Sequence, residues 1–367
     1  MEMQSTIRKR LLGLRKARNV SQDELSKVMG MNNRQSLADL EIGERAIQPQ
    51  ELLAAAQFFG VAHSYFTDPL ELAGEASFSW RKSSQCDVSN INAFEQTAGR
   101  WIATYRHLGN LMHASVNSSL TQIDVKKEST LDDAYREGSR VANTFELGDI
   151  PANKLASVLS EKLDILILHL DAVPGISGAA CKLGPLHSIM INRNEVPARR
   201  NFDLAHEFFH LLTWVSMPPE HVEEVESNNK KPKVEQLADA FASGLLMPES
   251  CLLKYIQVRG MPKKDNPKWI KEAATHFKVS GQAMKWRLKS LGYFSQAEAT
   301  KIDDAAIRVE LQDEVPNLLS ESFVKRLEWA IQNGEMSVRK LADTLQMTID
   351  DLEQLFASYQ IIAPFDL

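Results

Sequence analysis

RNFDLAHEFFHLLTW, residues 200–214, is an apolar stretch broken by His206, Glu207 and His210. Its phenylalanines and leucines recur at helical spacing, which predicts a buried helix carrying three ionisable side chains on its driest face. Residues four apart in a helix share one face, with Cβ atoms about 6 Å apart, so His206 and His210 can address one metal ion. Glu207 falls on the neighbouring edge, placed to reach a water on the metal rather than the metal itself. With no ion, a core would hold a glutamate between two histidines without a basic partner in the segment, at several kcal/mol. A divalent cation removes that difficulty.

Catalytic zinc takes three protein ligands and leaves one position for water. The next helical run, VEQLADAFASGLLMP (234–248), supplies Glu235, 25 residues after His210, with Asp239 one turn further along the same face. Glu235 suits the third ligand, and Asp239 suits an acceptor for the far nitrogen of a ligating histidine. Zinc is the expected ion for two imidazoles and a carboxylate, with manganese and iron as alternatives. Such an ion acidifies water and polarises a carbonyl, while Glu207 takes the proton and returns it to the leaving amine of a peptide. His187, His221 and Arg193 are the candidates for steadying the oxyanion. SIMINR (188–193) is expected to offer a sheet edge on which a peptide could pair.

The rest of the chain sets the frame for this site. Its 367 residues, 44% hydrophobic and 25% charged, are too many for one core and fit about two or three domains of a soluble globular protein. No segment approaches the roughly 18 apolar residues of a membrane span, and MEMQSTIRKRLLGLRKAR lacks a signal-peptide core, so a cytoplasmic protein without a membrane partner is expected. Cys86, Cys181 and Cys251 are scattered, which argues against a disulfide framework and against a cysteine zinc site. A net charge of -6 confines any nucleic-acid contact to a local patch.

Residues 7–68 predict four or five short helices. Ser21 caps QDEL with Glu24 three residues on, Gly30 closes that helix, and Leu25, Val28 and Met29 face Leu37 and Leu40 across a brief turn, the helix-turn-helix grammar. Arg8, Lys9, Arg10, Arg15, Lys16 and Arg18 are expected to lie along the DNA backbone, with Arg34 reading guanine or Gln35 adenine. One such domain holds DNA poorly, so a homodimer on a double-stranded operator is expected. Residues 80–162 read as a helical connector, 164–173 and 188–193 as strands flanked by Gly175, Gly178 and Gly184, and 218–233 as a surface loop. Residues 269–292 and 336–356 repeat the helix–turn–helix pattern and read as helical packing or protein contact.

SIMINRNEVPARRNFDLAHEFFHLL followed by EQLADAFASGLLMP resembles the ImmA/IrrE family of metallopeptidases, through Asn192, residues 205–210, Glu235, Ala238, Phe241, Ala242 and residues 245–248. The resemblance implies a gluzincin-like fold with His206, His210 and Glu235 on the metal, Glu207 as base, and cleavage of a repressor or antitoxin in phage, mobile-element, toxin–antitoxin or stress responses. LRKARNVSQDELSKVMGMNNRQSLADLEIGER resembles the XRE (Cro/CI-type) helix-turn-helix. That resemblance implies an Arg15–Glu41 ion pair, a phosphate contact from Gln22, and a recognition helix opening near Asn33, so that Gln22, Asn33, Arg34, Gln35 and Ser36 form the expected DNA-binding set. The segment is one residue longer than the pattern between Gly30 and Glu41, and Asp39 sits in its recognition helix. The expectation is thus a multidomain, mainly α protein with a small β-sheet. It comprises an all-α helix-turn-helix domain (1–72), a helical connector (73–150), an α+β metallopeptidase domain (151–255) and a C-terminal helical domain (256–367). The expected function is a DNA-binding regulator with a built-in endopeptidase; the alternative is a non-proteolytic transcription factor or antitoxin whose peptidase-like domain senses a metal or ligand.

Overall fold

The computed structural model describes residues 2–72, 76–83, 88–114, 120–172, 175–219, 222–225, 231–263, 266–311 and 314–365. In chain order the first elements are α1 (Glu2–Ala17), α2 (Gln22–Val28), α3 (Arg34–Ile42), α4 (Pro49–Phe59), α5 (Ser64–Thr67), β1 (Ser77–Ser83) and α6 (Val88–Leu111). Then come α7 (Leu131–Thr144), α8 (Leu155–Glu161), β2 (Leu166–Leu170), β3 (Ile176–Leu183), β4 (Leu186–Asn192), α9 (Pro197–Leu212), β5 (Val222–Val225) and α10 (Lys233–Leu246). The chain closes with α11 (Glu249–Arg259), α12 (Pro267–Phe277), α13 (Gly281–Ser290), α14 (Gln296–Lys301), α15 (Glu321–Gln332), α16 (Val338–Leu345) and α17 (Ile349–Ser358). Two units result: residues 1–77, 95–115 and 322–367 in one, residues 78–94 and 116–321 in the other.

In the first unit the N-terminal helices start and stop where the sequence dictates. The Ser21 hydroxyl accepts from Glu24 N, the Asn33 side chain accepts from Ser36 N, and α3 and α4 end on Gly43 and Gly60 at φ 93° and 66°, backbone that favours glycine. Ile7, Leu11, Leu25, Met29, Leu37, Leu40 and Phe66 fill the core between them. One expectation fails here. Arg10, read as part of a DNA-facing basic stripe, is fully buried and donates to the carbonyls of Tyr65 (2.9 Å) and Asp68 (2.8 Å) and to that of Glu71. Buried and donating to carbonyls at and just beyond the end of α5, its guanidinium cannot reach a phosphate. Further along, α16 ends on Gln346 at φ 57° and α17 opens on a Thr348–Asp351 capping box, the helix–turn–helix shape read from 336–356.

The second unit is built on a five-stranded mixed sheet in the order β2-β4-β3-β1-β5. β2 runs parallel to β4, β3 antiparallel to β4, and β5 parallel to β1. The sheet corrects four readings. β3 occupies the glycine-bearing stretch between the two expected strands, to which no element was assigned; β1 lies within the expected helical connector; β5 lies inside the polar segment taken for a surface loop; and SIMINR lies on an interior strand, not an edge. Every residue of β4 is buried, which an interior strand covered on its faces requires.

α9 packs on β3 and β4, and α7 lies against α10. The α7–α10 approach is unusually close: a Cβ on Gly138 would stand 2.2 Å from the Phe241 carbonyl oxygen, and one on Gly244 2.2 Å from that of Tyr135. Only two glycines facing each other's backbones allow it. Helix α7, expected in the connector, therefore locks to the helix that bears Glu235. The same core continues through Trp269, Ile270, Phe277, Met284 and Leu288 of α12 and α13, which pack into it rather than forming a separate C-terminal body at residue 256. Among the described residues, no helix is long and apolar enough to cross a membrane.

Candidate metal centre and recognition helix

Helix α9 begins at Pro197 in its first turn, four residues earlier than the apolar pattern alone suggests, and buries both histidines and Glu207. His206, Glu207, His210 and, from α10, Glu235 are each no more than 2% exposed. The donor atoms converge. His206 Nε2 and His210 Nε2 are 3.1 Å apart, Glu235 Oε2 is 3.2 Å from the first and Glu235 Oε1 3.0 Å from the second. Four donors about 2.0–2.1 Å from a tetrahedral zinc ion stand about 3.3 Å from one another, and the two imidazole nitrogens and each one's nearer Glu235 oxygen are spaced at close to that separation. The three residues form a possible metal-holding cluster among the described side chains.

The chemistry of the donors agrees with their spacing. His206 Nδ1 lies 2.9 Å from Asp239 Oδ1; a carboxylate only accepts, so Nδ1 carries the proton and Nε2 presents its lone pair to the centre. Asp239's other oxygen takes the Lys231 ammonium. Burial opposes the charge on Glu235, but with no ion bound, protons on the imidazole nitrogens that face it outweigh burial and hold the carboxyl far below the usual carboxylate range; a divalent cation would take the place of those protons. An ionised carboxylate and two inward nitrogens, buried together, are a donor set a divalent cation would satisfy. Among the described residues, the buried Nδ1 of His210 has no hydrogen-bond partner.

Glu207 rests against β3. A Cβ on Gly178 would stand 3.3 Å from Glu207 Cγ, 3.4 Å from its Oε1 and 3.1 Å from the Met190 carbonyl oxygen. Gly178 thus makes room for the glutamate, a role the sequence reading missed because it took this glycine only as flanking the expected strands. Also missed was Asp203, one turn before Glu207 and fully buried. Arg199 Nε lies 3.0 Å from it and donates through its other arm to Ser177 Oγ at 3.2 Å, tying α9 to β3 beside Gly178. Asn192 ends β4 by donating to the Ile176 carbonyl (2.9 Å) and accepting from Asn194 N (3.1 Å).

The oxyanion candidates fare differently. His187 pairs with Lys182, four residues along β3 from Gly178, about 13 Å at strand rise, too far to act beside Glu207. Burial, then the charge of Lys182, holds its imidazole below its ordinary pKa. Arg193 is committed to Asp171 (2.6 and 2.8 Å) and to the Pro316 carbonyl (3.3 Å). His221 lies outside the described residues, as does Cys86.

On the helix-turn-helix side, Arg15 grips Glu41 through Nε (2.6 Å) and Nη2 (3.0 Å). Glu41 Oε2 also accepts from Gln22 Nε2 at 2.7 Å, and Gln22 Oε1 accepts from Arg34 Nε at 3.1 Å. Gln22 and Arg34 are thereby brought together by a chain of four side chains. Gln35 bonds to Asp39 along its own helix at 2.7 Å, and Asn33 and Ser36 form the cap of α3. Of the basic residues on α1, Lys9, Lys16 and Arg18 are exposed, whereas Arg10 and Arg15 are committed internally.

Comparison with known families agrees with both halves. Residues 160–289 match a peptidase family described as the IrrE N-terminal-like domain, and residues 12–66 match a helix-turn-helix family. The first match runs past residue 255 through α11, α12 and almost all of α13, as the shared core does. No curated protein and no solved structure matches the chain.

Proposed function

We propose that this chain, in which a helix-turn-helix domain precedes a peptidase-like domain of the IrrE N-terminal type, is a cytoplasmic DNA-binding regulator that cleaves one specific partner protein, a repressor or antitoxin. The observation that carries the reading is the convergence of three buried donor atoms from His206, His210 and Glu235, with the His206 tautomer fixed from outside by Asp239. A bound divalent ion, zinc by preference, supplies Lewis acidity toward the scissile carbonyl and the attacking water. Glu207 accepts the proton of that water and delivers it to the leaving amine, and its burial against Gly178 limits the positions its carboxylate can take. Asp239 and Lys231 hold the His206 ring so that its lone pair stays inward. The helix-turn-helix domain binds a two-fold operator as a dimer, with Gln22 on phosphate and Arg34 or Gln35 on bases.

The test uses the full chain loaded with zinc and the proteins encoded beside it, with intact mass spectrometry as the readout. One new pair of fragments from one partner is expected. Glu207→Gln should retain the ion and lower cleavage by about 10²–10⁴-fold. Undiminished cleavage by that variant removes Glu207 from its role. Metal-dependent operator binding with every neighbouring protein left intact replaces the peptidase by a sensor.

A further inference from the structure

Between α7, the start of α11 and the end of α13 lies a cavity of about 570 Å³ that belongs to neither the metal centre nor the recognition helix. Its floor holds the guanidinium of Arg287, 3% exposed. Arg287 donates to the Met247 carbonyl (3.0 Å) and to Ser290 Oγ (3.3 Å), and its guanidinium lies 4.8 Å from the Tyr135 ring centroid. No carboxylate lies within 4 Å of it among the described residues, although a buried cation ordinarily has one. The hydroxyl groups of Ser139, Ser250 and Ser290 line the same space. So do Glu249 and Ser250, the first two residues of an eleven-residue helix, whose backbone N–H groups precede the first intrahelical bond.

At the rim Arg136 and Arg140 pair with Asp133 and Glu137, and Asp132 and Glu249 add two carboxylates that are exposed and screened by solvent. Inside the cavity, where screening is weaker, the charges are those of Arg287 and the α11 N-terminus, both positive. We propose that this cavity binds a small ligand through an oxyanion, a phosphate group by preference. The anion would lie against the Arg287 guanidinium and accept from the Ser250 hydroxyl and the first N–H groups of α11, the hydroxyl protons of Ser139 and Ser290 being given to backbone carbonyls. The volume exceeds what bare phosphate needs and suits a phosphate ester. The site adjoins the end of α10 opposite to Glu235, since Arg287 and Ser139 both donate to carbonyls of its last residues, Met247 and Gly244. The inference is independent of whether the metal centre is a peptidase.

Isothermal titration calorimetry of the full chain with inorganic phosphate and, separately, phenyl phosphate tests it. Saturable binding at one site per chain is expected for at least one probe, and tighter binding of phenyl phosphate assigns the site to an ester rather than the free ion. Ser250→Glu places a carboxylate at the α11 N-terminus, where glutamate is well tolerated, and should weaken binding about tenfold or more with an unchanged melting temperature. Arg287→Gln should weaken it in the same direction, and the Ser250 variant decides the matter if Arg287→Gln does not fold. Absence of saturable binding of both probes in the millimolar range overturns the proposal. So does unchanged affinity in Ser250→Glu, which would locate the anion at the metal centre instead.

Discussion

Replacing Asp239 by alanine isolates what holds the His206 ring. The carboxylate at 2.9 Å fixes Nδ1 as the protonated nitrogen, and without it either nitrogen can carry the proton and the ring can turn. Loss of such a partner lowers metal affinity by about 10–100-fold, equivalent to about 1.4–2.7 kcal/mol. Asp239 is 35% exposed, so solvent screens it and the lower part of that range, about 10–30-fold, is expected here. Competition of the full chain against a fluorescent chelator for zinc measures the affinity directly. Asp239→Asn keeps an acceptor and should recover part of the loss, whereas His206→Ala should lose far more than either. Zinc affinity within twofold of the original protein in Asp239→Ala would refute the account of how His206 is oriented, and a loss equal to that of His206→Ala would make Asp239 a ligand itself.

Other substitutions probe the packing. Gly178→Ala presses on the Met190 carbonyl and on Glu207; cleavage should fall about tenfold while zinc affinity stays unchanged, and a parallel loss of zinc would show that the strain reaches the ligands instead. Gly244→Ala puts a methyl group against the Tyr135 carbonyl and should destabilise the chain by about 1–3 kcal/mol in urea unfolding, despite alanine's better helix propensity; a gain in stability would contradict the close α7–α10 approach. In β2, burial, then the charges of Arg200 and Arg193, lowers the His169 imidazole from 6.5 to about 4. The unfolded chain takes up that proton near pH 6.5 and the folded chain only near 4, so the contribution is complete above pH 6.5 and is lost as pH falls toward 4. It amounts to about 3 kcal/mol. His169→Gln should flatten the pH dependence of stability across that window; an unaltered slope assigns the dependence to other groups.

Local spacing explains why the grouping of His206, His210 and Glu235 was legible in the sequence. His206 and His210 share a face by helix geometry alone, and Glu235 with Asp239 repeats that spacing on the next helix. Features that depend on distant chain were not legible. Gly178 is positioned by what leans on it from α9, and nothing in the neighbouring residues announces that. The strands β1 and β5 are short and polar in much of their length: SFSWRKS alternates apolar with polar only at Phe78 and Trp80 before a charged stretch, and VEEV does not alternate, so both owe their pairing to each other and to the sheet beside them. Arg10 reads as a surface cation because the carbonyls that bury it come 55–61 residues later. The boundary drawn at residue 151 failed for a related reason: α7 is amphipathic enough to pass for a free-standing connector, and only the facing glycine in α10 reveals its partner.

The chain Arg15–Glu41–Gln22–Arg34 has a consequence for selectivity. Arg34 is moored through Nε, the one guanidinium nitrogen that a bidentate grip on guanine can spare, so its two terminal amino groups remain available as a fork. If Arg34 meets a base, part of the roughly 2 kcal/mol of rotamer freedom an arginine surrenders there would already be given up to this bond. An operator carrying guanine at that step would gain from this pre-orientation, and a different base would require the Gln22 bond to be broken.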